Sequence, residues 1–466
     1  MPTTQIQTHT FPNGFRVIYE PPENHMNLTH INVFCRVGSA FEPANLSGVS
    51  HFIEHMCFKG TRHLPSTRAI ITEYDSIGAY FNAYTEKQYT CYVAKFHSAY
   101  TQNCISILGD IMMNSVFNKK EYEKEMNVVI EENKRNLTDY ENELDDLVHS
   151  MVYRGSVYAQ PVDSMKYHKT TDVWKYEDVM AFYHKYYVPE NMLMSIVSPI
   201  PFKTILRFLK KTDFARWASS RKRAIEPILN TVPSMIYDKQ SEIQAEMISV
   251  RNLQTAYIAI TFRTCSLYSD DQFPLNLLRS IMGGSLLSRL YTILREKNGL
   301  TYTSRVSTTY FEHTGHIMFY AITDSTKILY NRKSGANRTQ KKGRSRTSLK
   351  KGVYPLMLEL LVDLVKRGVS EKEVSAAKKY VEGKRLMSLE DADTQVSHNG
   401  TGWLLHNTEK IVPYKDTFDT YYKPITRERI NQLIAKYFKP ENMCVAMVGG
   451  DLPNVDLAKR MAMEMW

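Results

Sequence analysis

No apolar run in the sequence reaches the ~18 residues that a membrane-spanning helix needs, so no span is expected. The N-terminus, MPTTQIQTHTFPNG, has no basic start followed by an apolar stretch, and no Arg precedes Arg16. That pattern fits neither a secretory signal nor an amphipathic transit helix, and it leaves the cytoplasm or an organelle matrix as the expected location. Cysteine is sparse. Cys35, Cys57, Cys91, Cys104, Cys265 and Cys444 are scattered without CxxC spacing, which excludes a zinc knuckle or a thioredoxin-like motif and identifies them as reduced core residues. Global disorder is excluded too, because 43% of the residues are hydrophobic and 23% are charged. At ~100–200 residues per domain, a folded, soluble chain of 466 residues has room for two to four domains.

Acidic residues are missing from one stretch altogether. NRKSGANRTQKKGRSRTSLKKG, residues 331–352, holds nine Lys or Arg and no acid, so of the net charge of +10 only +1 belongs to the rest of the chain. The basicity is therefore a property of one segment, and the body offers no general nucleic-acid surface. Such a composition cannot bury enough surface to order itself, so a solvated disordered loop is expected; any contact with nucleic acid, anionic lipid or an import receptor would run through this segment alone.

What is present includes an internal repeat. KYYVPENM at 185–192 returns as KYFKPENM at 436–443, each after an amphipathic helical stretch and before an apolar run, MLMSIVS and MCVAMVG. Pro189 and Pro440 end their helices, because the residue before proline is pushed out of the α region. Two homologous halves follow: a first domain at 1–225, a linker at 226–249 and a second domain at 250–466 carrying the basic insertion at 331–352. In the first half, HTFPNGFRVIYE reads as a hairpin turning at Asn13 and Gly14, and Ile31, Val33, Cys35 and Val37 alternate as a strand. Helices are expected at about 48–59, 66–77, 98–115 and 119–153, with a second hairpin in AYFNAYTEKQYTCYVAK. Hairpins mixed with helices, in place of regular βαβ units, predict an α+β fold in which each half is a mainly antiparallel sheet packed with helices.

At 51–55 stands HFIEH. On a helix His51, Glu54 and His55 project from one face, where two imidazoles can hold one Zn²⁺ and the carboxylate between them can take a proton from water. The longer stretch GSAFEPANLSGVSHFIEHMCFKGT resembles the inverted HxxEH zinc motif of the pitrilysin and mitochondrial processing peptidase family, the inverzincins. The resemblance implies a third ligand some 77 residues after the second His. That residue is Glu132 in EKEMNVVIEEN, with Glu125 supporting the site; by spacing alone the adjacent Glu131 is a rival ligand. LLSRLYTILREKNGLTYTSRV is similar to the family segment that offers an Arg and a Tyr to substrate, here Arg295 and Tyr302, and Tyr302 is expected to assist in stabilising the oxyanion. GAYFNAYTEKQYTCYVA is similar to the family's substrate-side strand, implicating Asn82 and Ala83 through their backbone.

The resemblance covers nearly the whole chain, with its three stretches in the family's order. It implies a zinc-dependent endopeptidase with one Zn²⁺ per chain and Glu54 as general base, acting on peptides or targeting-type segments in an enclosed site built from both halves. It also implies association, as homodimer or heterodimer, with a homologous two-domain chain. The rival readings are a non-catalytic family subunit of a larger complex, and a polyanion-associated protein acting through residues 331–352. Two departures stand out: YAQPVDSMKYH replaces the family's more regular loop after the second helix, and the basic insertion is atypical.

Overall fold

The computed structural model describes residues 6–23, 26–136, 138–163, 174–217, 240–331, 350–406 and 410–466. The first sheet is built from β1 (Gln7–Thr10), β2 (Arg16–Glu20), β3 (Leu28–Cys35), β4 (Tyr80–Thr85), β5 (Thr90–His97) and β6 (Met192–Val197). Their order is β1-β2-β6-β3-β5-β4, antiparallel except for the β2–β6 pair. The second sheet comes from β7 (Gln244–Ser249), β8 (Thr255–Thr264), β9 (Thr301–Tyr310) and β10 (Gly315–Asp324). A two-residue ribbon, β11 (Tyr330–Asn331) with β12 (Lys350–Lys351), stands apart, and β13 (Met443–Gly449) completes the second sheet. That sheet runs β7-β13-β8-β10-β9, with β7 and β13 parallel and the rest antiparallel. Without β1, the first order is the second with each strand replaced by its counterpart. The repeated PENM blocks explain the match, since each ends a helix in a 3₁₀ turn, Pro189–Asn191 or Pro440–Asn442, and launches the strand that receives the parallel partner.

The chain is α+β in two homologous halves, and the pattern-derived helices and hairpins form with two differences. The expected helix over 119–153 is two helices, Lys119–Asn136 and Tyr140–Val152. Asp139 starts the second by accepting hydrogen bonds from the Glu141 and Asn142 amides, at 3.1 and 3.3 Å, which satisfies donors a helix start leaves open. Residues 244–249, placed in the linker, are β7; the segment pairs along β13 with Ala245 buried, and residues 226–239 of that linker lie outside the described residues.

Two compact units result, and they differ from the contiguous halves by a reciprocal exchange. The first comprises Met1–Thr138, Gln160–Val232 and Lys384–Phe418; the second comprises Asp139–Ala159, Pro233–Gly383 and Asp419–Trp466. Helix Ala392–His406, from the later half of the sequence, thus packs on β3 and β6 of the first sheet, and helix Tyr140–Val152 packs on β8 and β13 of the second. Polar contacts fix the first of these: Asn399 Nδ2 donates to Glu20 Oε2 at 2.7 Å, Arg36 Nη1 to the Leu404 carbonyl at 3.1 Å, and His30 Nδ1 stands 2.5 Å from Asp393. In the second unit Arg263 Nη2 donates to the Val152 carbonyl at 2.7 Å, and Tyr153 meets His316 Nδ1 at 2.6 Å. No helix among the described residues is long and apolar enough to cross a membrane.

Gly400 lets its helix approach the sheet closely: a Cβ there would lie 2.1 Å from Cε2 of the fully buried Phe34. Alanine in a helix interior is ordinarily worth ~0.5–1 kcal/mol over glycine, but overpacking a filled core costs ~1–3 kcal/mol. Gly400→Ala is therefore expected to lower stability by about 1–2 kcal/mol in urea unfolding, and Phe34→Leu in the same chain to recover most of it. A Gly400→Ala chain as stable as its parent would show that the Phe34 ring has room to move.

The basic insertion enters and leaves through β11 and β12, which pair side by side. Gly352 just beyond packs on backbone, since a Cβ there would fall 2.3 Å from the Lys327 carbonyl. Excising residues 332–349 and joining the ribbon ends through a short turn is expected to leave the melting temperature and any peptidase rate nearly unchanged. It removes seven positive charges, so retention on heparin should fall and its salt dependence flatten. A large drop in melting temperature would mean that the segment contributes to the core.

Candidate metal centre

The HFIEH motif lies on helix Val49–Cys57. Phe52, Ile53 and Met56 are buried and turn one side of this helix into the core, which leaves His51, Glu54 and His55 along an adjacent stripe. Its start is set by Gly48, whose φ of +89° is left-handed, and by Glu42 from the preceding loop. Glu42 accepts from the Gly48 and Ser50 amides at 2.6 and 2.7 Å, placing a carboxylate at the helix N-terminus. Burial is the main influence on that carboxylate and raises its pKa to about 7, against the opposing effect of those hydrogen bonds.

The second helix, Lys119–Asn136, packs on the first through Tyr122, Met126 and Val129, with Tyr122 edge-on to Phe52 at 5.0 Å. On this helix Glu125 and Glu132 are seven residues, about two turns, apart and therefore share a stripe, whereas Glu131 is rotated ~100° from Glu132. Glu131 pairs with Lys134 at 2.6 Å on the exposed side. Glu132 Oε2 stands 3.5 Å from His55 Nε2, and His55 Nε2 is 3.2 Å from His51 Nε2. The three donor atoms all lie within 4.8 Å of one another. Zinc–ligand bonds of ~2.0–2.2 Å in a tetrahedron put neighbouring donors ~3.3–3.5 Å apart. The residues present therefore fit zinc.

The remaining contacts orient the donors. His55 Nδ1 lies 2.9 Å from Glu125 Oε1, so its proton sits on Nδ1 and the Nε2 lone pair faces the cluster. Glu125 also receives Lys59 Nζ at 2.6 Å; burial alone would raise its pKa, but His55 and Lys59 outweigh burial and hold it below the usual range. Burial pulls the His55 pKa down, and the hydrogen bond that His55 donates to Glu125, together with the charges of Glu54, Glu132 and Glu125, reverses this to a net rise. Glu54 accepts from Thr85 Oγ1 at 2.6 Å. Its pKa is raised, chiefly by burial and in smaller part by the Glu132 charge, against the lowering effect of His51, Thr85 and His55.

Asn82 and Ala83 lie on β4, which is an edge strand of the first sheet and ends at Thr85. Arg295 and Tyr302 belong to the second unit. There Arg295 Nη1 donates to the Thr301 carbonyl at 2.7 Å, its guanidinium carbon lies 5.8 Å from the Tyr302 ring centre, and the Tyr302 ring is 82% exposed. Sequence reasoning missed Glu42, Lys59, Thr85 and Asp163, whose Oδ1 is 3.1 Å from His51 Nδ1. Of these only Lys59, four residues after His55, carries a local signal.

The chain is built as two duplicated sheet-and-helix units, and the first carries the His51, His55 and Glu132 cluster that could hold a metal ion. Family models agree: residues 20–164 match "Insulinase (Peptidase family M16)" and residues 174–381 match "Peptidase M16 inactive domain". The chain is 27% identical to the uncharacterized zinc protease YmxG of Bacillus subtilis over 96% of this chain and 100% of that protein. It is 30% identical to an uncharacterized zinc protease of Rickettsia felis over 68% of this chain and 74% of that one. The fold is shared with a protease from Helicobacter pylori at a TM-score of 0.80 and 19% identity, covering 96% and 99% of the two chains. The Escherichia coli periplasmic protease PqqL aligns at a TM-score of 0.74 and 16% identity, with all of this chain covering 50% of that one. The chain belongs to the M16 peptidase family.

Since only one of the two neighbouring glutamates faces the imidazoles, Glu132→Gln is expected to cut zinc content after dialysis far more than Glu131→Gln, as read by elemental analysis. The opposite ranking would move the ligand to Glu131.

Proposed function

We propose that the chain is a zinc-dependent endopeptidase that hydrolyses peptides or targeting-type segments in an enclosed cleft, with one Zn²⁺ held by His51, His55 and Glu132. The observation that carries this reading is the convergence of His51 Nε2, His55 Nε2 and the Glu132 carboxylate beside a buried Glu54 on the same helix. Zinc, when bound, supplies Lewis-acid activation of water and of a peptide carbonyl. The chain's own residues do the rest. Glu54, oriented by Thr85 and shielded from bulk water, takes a proton from the attacking water and passes it to the leaving amine. Glu125 and Lys59 hold the His55 ring. The free side of β4, at Asn82 and Ala83, offers backbone groups to an extended peptide by strand addition, and Arg295 and Tyr302 contribute polar contacts to substrate, Tyr302 aiding the oxyanion.

Pairing with a homologous chain, identical or not, belongs to the same proposal. PqqL carries about twice this length in one polypeptide, and two copies of this chain together match that length.

Glu54→Gln keeps the shape of the side chain and cannot accept a proton. It is expected to retain zinc while cleavage of a peptide library, read by mass spectrometry, falls ~10²–10⁴-fold. Near-parental cleavage in that variant removes Glu54 as the base. A parent chain that binds zinc and cleaves nothing in the library, with or without a homologous partner, favours a non-catalytic subunit.

A further inference from the structure

His55 has a carboxylate, Glu125, on the ring nitrogen that faces away from the cluster. We propose that Asp163 does the same for His51 and is a positioning residue for the metal site, an inference that rests on the zinc reading above. Asp163 Oδ1 lies 3.1 Å from His51 Nδ1, close but not aligned as a hydrogen bond, while His51 Nε2 faces His55 Nε2 at 3.2 Å. Both imidazoles therefore present Nε2 to the same point, and each has a carboxylate behind it. A carboxylate behind a ligating imidazole favours the tautomer with its proton on the far nitrogen, fixes the ring plane and makes the near nitrogen a stronger donor.

The loop bearing Asp163 is not free to drift. Three residues earlier, Gln160 Nε2 donates to Glu42 Oε2 at 3.1 Å and to Ser47 Oγ at 2.9 Å, and the Gln160 carbonyl accepts from the buried Lys87 Nζ at 2.6 Å. Glu42 is the residue that closes the N-terminus of the HFIEH helix. One short segment, Gln160 to Asp163, thus ties both the start of the helix and its first histidine. Asp163 falls in YAQPVDSMKYH, 108 residues after His55, so this carboxylate is one that the HxxEH motif does not specify.

The test uses the full-length chain stripped of metal and reloaded. Zinc affinity is measured by competition with a chromophoric chelator for the parent, Asp163→Ala, Asp163→Glu and His51→Ala. Cobalt(II) absorption reports the ligand field, and the melting temperature of the metal-free chains reports folding. Asp163→Ala is expected to weaken zinc binding ~10–100-fold and to shift the cobalt bands, with the metal-free melting temperature unchanged; Asp163→Glu should recover part of the affinity. If the parent binds zinc, His51→Ala loses it and Asp163→Ala matches the parent in affinity and spectrum, the role given to Asp163 is wrong and the metal site stands. A metal-free melting temperature that falls in step with affinity also overturns it, since Asp163 would then be structural. If the parent binds no zinc, or His51→Ala binds as the parent does, the zinc reading itself fails.

Discussion

A buried carboxylate between two hydrogen-bond donors organises the first unit: Glu125 takes His55 Nδ1 on one oxygen and Lys59 Nζ on the other, at 2.9 and 2.6 Å. His55 and Lys59 are one turn apart on the first helix or just past its end, and Glu125 is on the second, so the contact sets the axial register between the two helices. With the register fixed, the two-turn step from Glu125 carries Glu132 to the open face of the same imidazole. A slip of one residue would bring Glu131, which instead answers Lys134. The apolar seam of Phe52, Tyr122, Met126 and Val129 supplies the attraction between the helices, but such a seam tolerates small slides. The charged contact does not, because a buried carboxylate left without partners costs several kcal/mol.

The electrostatics of the cluster point the same way. Glu54, Glu125, Glu132 and Asp163 crowd around two imidazoles, and among them only Lys59 carries a fixed positive charge. With all four acids ionised and both histidines neutral, the sum is −3, which a low-dielectric environment resists. The raised Glu54 pKa, to which Glu132 contributes, is one expression of that excess. A divalent cation relieves it more fully than a proton can, because it sits between the donors and meets several of them at once. A second cluster of similar composition, His30 with Asp391 and Asp393, has no such need: Lys95 already lies 3.4 and 3.6 Å from the two aspartates.

Much of this was legible in the sequence, and the limits have physical causes. HFIEH specifies its own geometry because i, i+3 and i+4 on a helix are neighbours whatever surrounds them. Glu125 and Glu132 share a stripe for the same reason, yet which stripe of the second helix meets the first depends on packing, so Glu131 stayed a rival on spacing alone. Thr85 and Asp163 reach the site across distant segments and leave no periodic trace. The helix break after Asn136 was written in Asp139 as a cap, but the apolar pattern on either side masked it. The exchange of Tyr140–Val152 and Ala392–His406 was invisible for another reason: both sheets descend from one pattern, so a helix suited to either face reads the same in both.

Among the described residues, the duplication does not extend to a second cluster of the His51, His55 and Glu132 kind. Helix Gln272–Gly283 follows β8 as Val49–Cys57 follows β3, and it holds neither His nor Glu. Its polar side chain Asn276 is engaged by β9, accepting from Thr308 Oγ1 at 2.8 Å and from the Tyr310 hydroxyl at 3.2 Å. Gly283 lies so close to β9 that a Cβ would meet the Val306 backbone nitrogen at 2.5 Å. In the second unit, then, the helix is held against the strand that follows it by direct contact, where the first unit leaves its counterpart's polar stripe to a cluster of acids. Freed of ligands, the second copy can keep the sheet order while exposing a tyrosine, Tyr302, on the same strand. The two units thus share a sheet order, while among the described residues the crowded acids and paired imidazoles of HFIEH and its neighbours stand in the first unit.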